Sequence, residues 1–386
     1  MEGVGLVIGS DDFCAALADF GVELVTGVPC SYFSAPIARF TREGRYVPAA
    51  NEGAALAIAA GAAVAGTRVA VVAQNSGLGN LINPLTSLLM TYDIPALVFT
   101  SLRGWPDPAG DEPQHAVMGA ATHEVLDAIG VAHCTLRRGT DAVGLRALLA
   151  EAGKELEAGN CVFVLVEKGA VEVPEGAAAD GSAEGPTLTR ARALRAITAH
   201  TRGIAVVATT GYTSRELFAA GDAPTHFYMQ GSMGHASAFA LGLALRPPGT
   251  EVVLLDGDGA ALMHLGTMST IGAAAPPGLI HVVLDNGVYE STGAQATTSA
   301  GTDFAAIARA TGYASAVVCA DGARIDAAMA AARAAPGPHL LVVPIGRMAG
   351  PAPRRATSSI GARDIHHRLT AALGAGPPWA DHADRR

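Results

Sequence analysis

The chain has 386 residues, enough for about two to three domains of roughly 150 residues each. Half of the residues are apolar and 16% are charged, and this composition excludes a mainly disordered chain. Because 35 acidic residues outnumber 26 Lys and Arg residues, the formal net charge is −9, which argues against a general nucleic-acid-binding protein.

The sequence also argues against a membrane span and a secretory signal. Residues 54–73 are the most apolar stretch, but Ala and Gly dominate it, and Thr67 and Arg68 interrupt it. Asp11 and Asp12 come so early that no basic segment leads into an apolar one. The five cysteines are scattered and form no Cys-x-x-Cys pair, which favours reduced thiols and no zinc site. We therefore expect a cytoplasmic protein without membrane or nucleic-acid partners.

Short β-branched runs alternate with Ala-rich stretches along the chain, a pattern typical of parallel sheets covered by helices on both faces. The sequence therefore predicts an α/β fold with two doubly wound parallel-sheet domains. The predicted strands lie at residues 24–27, 69–73, 96–100, 162–166, 204–208, 252–255, 280–284 and 340–343. Residues 172–186 combine Pro, Gly and acidic residues without periodicity. We accordingly place domains at 1–172 and 188–373, a linker at 173–187, a last helix at 360–373 and a tail at 374–386.

Polar residues follow two predicted strands of the second domain. The segment Gly257-Asp258-Gly259 ends one strand, and Asn286 comes one helix and one strand later. Such a β-α-β interval brings Asp258 and Asn286 to neighbouring strand ends, where a carboxylate, an amide oxygen and a backbone carbonyl can share Mg²⁺. A Gly-Asp-Gly segment alone is equally typical of an ordinary turn. The two motifs together therefore indicate a metal site.

Three further segments each allow a functional and a purely structural interpretation. Glu52 opens an Ala-rich helix after Asn51, which also fits a simple helix cap. Residues 230–237, QGSMGHAS, suit close passage beside a bulky ligand or tight helix packing. Residues 209–216, TTGYTSRE, follow a strand and can present backbone N–H groups and Ser214 to a diphosphate, or begin a capped helix.

Together these motifs resemble the thiamine-diphosphate enzymes over nearly the whole chain. The resemblance implies a pyrimidine-binding domain at 1–172 and a diphosphate-binding domain at 188–373, with no middle domain. It implies thiamine diphosphate and Mg²⁺ as cofactors, with the metal held by Asp258, Asn286 and the carbonyl oxygen of Val288.

The resemblance also implies roles along the cofactor. Glu52 is the implied catalytic carboxyl group, since in these enzymes a glutamate hydrogen-bonds the pyrimidine ring and promotes loss of the thiazolium proton. Met233 is the implied apolar support of the bent cofactor. The other implied cofactor-binding residues are Thr210, Gly211, Ser214, Gly231, Ser232, Gly257, Gly259, Ala260 and Tyr289.

Longer motifs narrow the resemblance to a two-domain subgroup, the phosphonopyruvate and sulfopyruvate decarboxylases. These motifs are GVPCSYF at 27–33, QNSGLGNLINP at 74–84, DEPQH at 111–115 and GDGAALMHLGT at 257–267. The implied reaction converts 3-phosphonopyruvate into phosphonoacetaldehyde and carbon dioxide for phosphonate biosynthesis. The implied assembly is a homodimer or homotetramer with the active site between subunits. SLRGW before DEPQH and Ala294 depart from the usual pattern, which keeps sulfopyruvate open as the substrate.

The residues themselves favour a small dianionic substrate, which the resemblance identifies as a 2-oxo acid. Arg103 and His115 flank a Pro-rich loop and can bring positive charge to a phosphonate or sulfonate, although a solvated Arg and a surface His fit the same pattern. His115 can also transfer protons near neutral pH. We predict Arg103 and His115 as catalytic and substrate-binding residues. The predicted polar neighbours of the substrate are Ser31, Tyr32, Gln74, Asn75 and Gln295.

Two other classes of function remain as alternatives. A non-catalytic protein that binds thiamine diphosphate would be expected to lack Glu52 or Asp258, and both are present. A nucleotide-binding oxidoreductase would be expected to carry a Gly-x-Gly-x-x-Gly turn after its first strand, and the sequence has none there.

Overall fold

The computed structural model describes residues 7–173, 186–246, 249–348 and 350–375. The chain forms two compact units. The first unit comprises Met1–Asp180 and Tyr289–Gln295, and the second comprises Gly181–Val288 and Ala296–Arg386. Most of the predicted linker and of the predicted tail lie outside the described residues, so the predicted domain boundaries stay a prediction.

The first unit is built on a six-stranded parallel sheet with the strand order β2-β1-β3-β4-β6-β5. Its strands are β1 (Leu24–Gly27), β2 (Tyr46–Pro48), β3 (Val69–Gln74), β4 (Ala96–Ser101), β5 (Ala132–Leu136) and β6 (Cys161–Val166). Its helices are α1 (Ser10–Asp19), α2 (Ser34–Arg42), α3 (Glu52–Val64), α4 (Leu78–Pro84), α5 (Ala116–Ala128) and α6 (Ala142–Glu157).

Helices cover both faces of this sheet because side chains alternate along each strand. On β3, Ala70 and Val72 join a core with the aromatic residues of α1 and α2, whereas Val71 and Ala73 join the core under α3 and α4. All four side chains are almost fully buried. The central strands are therefore continuous apolar runs, which explains why the sequence predicts them well.

The second unit is built on a six-stranded parallel sheet with the order β13-β14-β10-β9-β7-β8; a separate two-stranded pair, β11 with β12, includes Tyr289 and Gln295, which are grouped with the first unit. The strands of the sheet are β7 (Ala205–Ala208), β8 (His226–Tyr228), β9 (Val252–Gly257), β10 (Leu279–Asp285), β13 (Ser315–Val318) and β14 (His339–Pro344), and the pair consists of β11 (Val288–Tyr289) and β12 (Gln295–Ala296). The helices are α7 (Arg190–Thr198), α8 (Tyr212–Ala220), α9 (Ala236–Ala244), α10 (Asp258–Met263), α11 (Thr267–Ala274), α12 (Phe304–Ala310), α13 (Gly322–Ala334) and α14 (Ala362–Ala372).

The two sheets have the same topology. When the six strands of each large sheet are numbered in chain order, both sheets have the strand order 2-1-3-4-6-5. In each unit the second strand therefore lies on one side of the first strand, and the third and later strands lie on its other side. Ligands of open parallel sheets bind at such switch points, outside the carboxyl ends of the strands. The fold thus points to the ends of β1 and β3 in the first unit, and of β7 and β9 in the second.

The predicted fold class is confirmed, and all eight predicted strands are present within two residues of their predicted bounds. The sequence reasoning missed β2, β5, β8 and β13, each of which is an edge strand. Three of these edge strands are only partly buried, so their sequences lack the continuous apolar runs of central strands. Across the ranges that the structure describes, no helix is both long and apolar enough to cross a membrane.

Close packing of α11 against the start of the Thr311-Gly312 turn gives a test of the second unit. A side chain on Gly272 would overlap the carbonyl oxygen of Thr311. We expect Gly272→Ala to lower the free energy of unfolding by about 1–3 kcal/mol, since the backbones must move apart. The control Gly242→Ala on α9 meets nothing within 4 Å and should raise it by about 0.5–1 kcal/mol. Denaturant unfolding of both variants measures this, and equal effects would contradict the packing.

Candidate active site

Glu52 lies at the start of α3, where the sequence places a helix cap. The side chain of Asn51 accepts a hydrogen bond from the backbone N–H of Ala54 at 2.9 Å and so caps α3. Glu52 itself is 6% exposed, and Asn80 Nδ2 donates to Glu52 Oε2 at 2.7 Å. A buried carboxyl group needs such a donor to offset its lost hydration. Asn80 is therefore a supporting residue that the sequence reasoning missed.

Gly77 makes the space that the Glu52 carboxyl group occupies. It ends the short turn Asn75–Gly77 after β3, and a Cβ atom on it would overlap the Glu52 carboxyl group. The glycine is therefore required by close approach of a functional side chain. The signal was present in the motif QNSGLGNLINP, but the contact between Gly77 and Glu52 is formed only by the fold.

Arg103 follows β4, and its positive charge is already paired. Arg103 Nε donates to Asp111 Oδ2 and Arg103 Nη2 donates to Asp111 Oδ1, both at 2.7 Å. The guanidinium also lies 5.3 Å from the centre of the Tyr32 ring. The sequence reasoning treated Arg103 as a charge for the substrate and did not single out Asp111. The structure instead shows a two-pronged ion pair, with only two of the five N–H donors of Arg103 used by the carboxylate.

His115 connects this ion pair to the end of β3. His115 Nδ1 lies 2.9 Å from Asp111 Oδ1, and His115 Nε2 lies 3.1 Å from Gln74 Nε2. Burial lowers the pKa of His115, and the positive charge of Arg103 lowers it further, although Asp111 opposes both. The imidazole is therefore neutral near pH 7. The structure brings three predicted substrate residues, Gln74, Arg103 and His115, together around Asp111, which the sequence analysis did not single out.

The other predicted substrate residues of the first unit differ in their availability. The Tyr32 hydroxyl is buried and has no hydrogen-bond partner in the described part of the chain. Asn75 is fully buried, and its amide donates to the carbonyl oxygen of Arg103 and accepts from its N–H. Ser31 is half-buried at the start of the turn Ser31–Phe33. The Tyr32 hydroxyl thus keeps its hydrogen-bonding capacity, whereas the Asn75 amide anchors the backbone of Arg103.

In the second unit, β7 ends in a turn that leads into α8. Gly211 has φ of +91°, in the region that favours glycine. The Ser214 hydroxyl lies 2.7 Å from the carbonyl oxygen of Thr209, so it is directed into the turn. Thr210 Oγ1 donates to the carbonyl oxygen of Gln230 at 2.8 Å. The buried Thr209 hydroxyl has no hydrogen-bond partner among the described residues. It can therefore donate a hydrogen bond near the start of α8, and helix starts favour anions.

The loop that carries Met233 lies beside the end of α10. A side chain on Gly234 would clash with His264 and crowd Met263. Met233 is half-buried and Gly231 is likewise half-buried, while Ser232 is exposed with a positive φ of 52°. The small residues of QGSMGHAS therefore allow this loop to approach α10, the helix that begins with Asp258.

Asp258 is a buried carboxylate at the first position of α10. It is 2% exposed, and Thr297 Oγ1 donates to Asp258 Oδ2 at 2.5 Å. Burial raises the pKa of Asp258 to about 6; the Thr297 hydrogen bond opposes this rise, and the negative charge of Asp285 adds to it. Thr297 also contacts Ser299, which donates to Asp285 Oδ1 at 2.9 Å. A cation here would relieve the unfavourable proximity of two carboxylates.

The β-sheet register brings a second predicted metal ligand, Asn286, near Asp258. Leu284 of β10 pairs with Gly257 of β9, so Asn286 and Asp258 follow neighbouring strand ends. The amide oxygen of Asn286 accepts from the N–H of Val288 at 3.2 Å. No group of three His, Cys, Asp or Glu side chains could hold a metal within the described ranges. The predicted ligands are instead the carboxylate of Asp258, the amide oxygen of Asn286 and the carbonyl oxygen of Val288. Such oxygen ligands, together with phosphate oxygens, fit Mg²⁺.

The last predicted residues are divided between the two units. Gly257 ends β9, and Gly259 and Ala260 form the first turn of α10 in the second unit. Tyr289 and Gln295 belong to the segment grouped with the first unit. The Gln295 amide exchanges hydrogen bonds with Thr292, at 3.1 Å in both directions.

Two protein-family models match the chain, and both describe a domain of thiamine pyrophosphate enzymes. Residues 8–117 match the N-terminal binding domain of thiamine pyrophosphate enzymes, and residues 209–343 match their C-terminal binding domain. Thiamine pyrophosphate is another name for thiamine diphosphate.

Full-length relatives narrow the class. The chain is 41% identical to a phosphonopyruvate decarboxylase of Streptomyces viridochromogenes, over 87% of this chain and 88% of the relative. It is 40% identical to a phosphonopyruvate decarboxylase of Streptomyces hygroscopicus, over 88% of both chains. A sulfopyruvate decarboxylase of Methanosarcina acetivorans is 30% identical over 72% of this chain and 75% of its own.

The chain belongs to the thiamine pyrophosphate enzyme family. More particularly, it is a decarboxylase, that is, a carbon–carbon lyase that uses thiamine pyrophosphate and acts on a small molecule.

The hydrogen bond between Thr297 and Asp258 allows a test of whether Asp258 takes part in metal and cofactor binding. Thr297→Val removes the hydroxyl that orients the Asp258 carboxylate, so we expect the dissociation constant of thiamine diphosphate with Mg²⁺ to rise about tenfold, or about 1.4 kcal/mol. Thr297→Ser keeps a hydroxyl and serves as the matched control. Isothermal titration measures both, and tight binding by Thr297→Val would contradict a role for this contact.

Proposed function

We propose that the protein decarboxylates 3-phosphonopyruvate, which yields phosphonoacetaldehyde and carbon dioxide. The observation that carries this proposal is the full-length similarity to two phosphonopyruvate decarboxylases, at about 40% identity in each case. The polar residues at the carboxyl edge of the first sheet, including the unpartnered Tyr32 hydroxyl, support a binding site for a small acid there.

We propose that residues of both units hold the cofactor. Glu52 would bind the pyrimidine ring, and the Thr209–Gly211 turn would receive the diphosphate at the start of α8. Asp258, Asn286 and the carbonyl oxygen of Val288 would hold Mg²⁺. When bound, thiamine diphosphate supplies the electron sink that a 2-oxo acid lacks when carbon dioxide leaves.

Glu52 would act as the acid–base group for the cofactor. Its Oε2 atom is occupied by the Asn80 amide, so Oε1, which lies against Gly77, is the oxygen that would share a proton with the pyrimidine ring. The surrounding burial keeps this proton away from bulk water. The fixed position of the carboxyl group between Asn80 and Gly77 supports this role.

His115, Tyr32 and Arg103 would serve the substrate. His115 is neutral, so its basic nitrogen can accept a proton or pass one on during product formation. The Tyr32 hydroxyl, which has no partner among the described residues, can donate a hydrogen bond to an oxygen atom of the acidic substrate. Arg103 would bind the phosphonate through the N–H groups that Asp111 leaves unused, which favours directional hydrogen bonding over unpaired positive charge.

The second candidate substrate is sulfopyruvate, because a sulfopyruvate decarboxylase is also a long relative of this chain. Carbon dioxide release should be measured from phosphonopyruvate, sulfopyruvate and pyruvate, each with and without thiamine diphosphate and Mg²⁺. We expect cofactor-dependent release that is fastest from phosphonopyruvate. Preference for sulfopyruvate would move the protein to the sister reaction, and no release from any acid would refute the proposed function.

We also propose a homodimer or homotetramer in which the active site lies between subunits. The resemblance supports this assembly, because the cofactor of such enzymes binds between the pyrimidine domain of one chain and the diphosphate domain of another. Sedimentation velocity of the full chain, with cofactor and Mg²⁺ at the assay concentration, should show at least two chains per particle. A fully active monomer would contradict the shared site.

Glu52 provides a direct test of the proton-transfer role. Glu52→Gln keeps the shape of the side chain but cannot exchange the proton, so kcat should fall by about 100- to 10,000-fold while the protein stays folded. Glu124→Gln, an exposed change on α5, is the control and should retain wild-type kcat. Decarboxylation assays and thermal unfolding measure the outcome, and near wild-type turnover by Glu52→Gln would remove Glu52 from the mechanism.

A further inference from the structure

Asp111 is the centre of the polar cluster in the first unit. Its Oδ1 atom accepts from Arg103 Nη2 at 2.7 Å, from the Glu112 N–H at 2.8 Å and from His115 Nδ1 at 2.9 Å. Its Oδ2 atom accepts from Arg103 Nε at 2.7 Å and from the Gly104 N–H at 3.1 Å. The side chain is only 7% exposed. These five donors use the full accepting capacity of a carboxylate.

The charge of Asp111 is secured by the same contacts. Burial alone would raise its pKa, but the hydrogen bonds from Arg103 and His115 and the positive charge of Arg103 hold the pKa of Asp111 well below its usual range. An ionised carboxylate can only accept hydrogen bonds. The proton in the contact with His115 must therefore reside on Nδ1.

The opposite side of the imidazole leads to the same tautomer. The Gln74 amide nitrogen, 3.1 Å from His115 Nε2, can only donate, so Nε2 must be the unprotonated nitrogen. The same amide nitrogen donates to Ser76 Oγ at 2.8 Å, and Gln74 Oε1 lies 3.7 Å from Cys30 Sγ. Asp111 and Gln74 thus select one tautomer from two sides.

We propose that Asp111 is a positioning residue for the decarboxylation: it fixes His115 as the Nδ1–H tautomer and holds Arg103, so that Nε2 is the nitrogen of His115 that exchanges a proton. This inference rests on the proposed function for its chemistry, but not for its geometry. Asp111 itself gives up no proton and acts on the substrate only through His115 and Arg103.

The geometry is tested without any reaction. The full chain is labelled with ¹⁵N-histidine and loaded with thiamine diphosphate and Mg²⁺, and the His115 signals are identified by their loss in His115→Gln. We expect the ring nitrogens of wild-type His115 to show protonation at Nδ1 and a bare Nε2. A proton on Nε2, or on both nitrogens at pH 7, would overturn the proposal even if no Asp111 variant folds.

The mechanistic link is tested with a double-mutant cycle. Asp111→Asn should lower kcat by about 100-fold, because a neutral amide no longer fixes the proton on His115 Nδ1, and an amide nitrogen in place of Oδ2 cannot accept from Arg103 Nε. In a His115→Gln background the same change should alter kcat by less than about twofold, since the residue that it positions is gone. The control Asp107→Asn, an exposed change in the same loop, should leave kcat unchanged.

The outcomes separate this inference from the proposed function. Additive losses in the two backgrounds would mean that Asp111 acts independently of His115 and would refute the positioning role. Wild-type kcat in Asp111→Asn would also refute it. Failure of the wild-type protein to release carbon dioxide from any 3-substituted pyruvate would refute the proposed function, whereas the tautomer result would still decide the geometry.

Discussion

The structure depends on one topological constraint that is applied twice. In each unit the first strand lies between the second and the third, so the winding of the chain reverses beside it. No helix crossover can cover the carboxyl ends of the strands at that point. Both units place polar residues there, since Gln74 is the last residue of β3 and Asp258 directly follows β9. The apolar cores on both faces of each sheet hold these strand ends in place.

Buried carboxylates at these edges are stabilised in different ways, and the differences are informative. Asp111 is saturated by five donors and carries its charge at little cost. Asp258 has a strong bond from Thr297, yet its pKa is raised to about 6 by burial, with Asp285 nearby. The first carboxylate is complete within the chain and suits a positioning role. The second is better stabilised when a cation is added, which suits a metal ligand.

The ion pair between Arg103 and Asp111 leaves the polar cluster of the first unit without net positive charge. Arg103 and Asp111 cancel each other and His115 is neutral, so the cluster offers hydrogen-bond direction instead of a concentrated positive field. An acidic substrate would then be selected by the geometry of donors such as Tyr32 and the remaining Arg103 N–H groups. Phosphonate and sulfonate both carry three oxygen atoms but differ in charge, so modest changes in this cluster can change which acid is preferred.

Local sequence determined the central strands, the start of α3 at Glu52 and the strand-ending positions of Asp258 and Asn286, because apolar runs, caps and turn residues act over short distances. The family itself was also evident from these motifs. Only the tertiary structure decided that Asp111 pairs with Arg103 and orients His115, that Thr297 bonds Asp258, and that Gly77 makes room for Glu52. Apart from Asp111 and His115, which lie four residues apart, these contacts join residues from separate segments of the chain, and no periodicity or spacing encodes which donor meets which acceptor. The edge strands escaped prediction for a related reason, since their partly exposed sequences become strands only when a neighbouring strand supplies the hydrogen bonds.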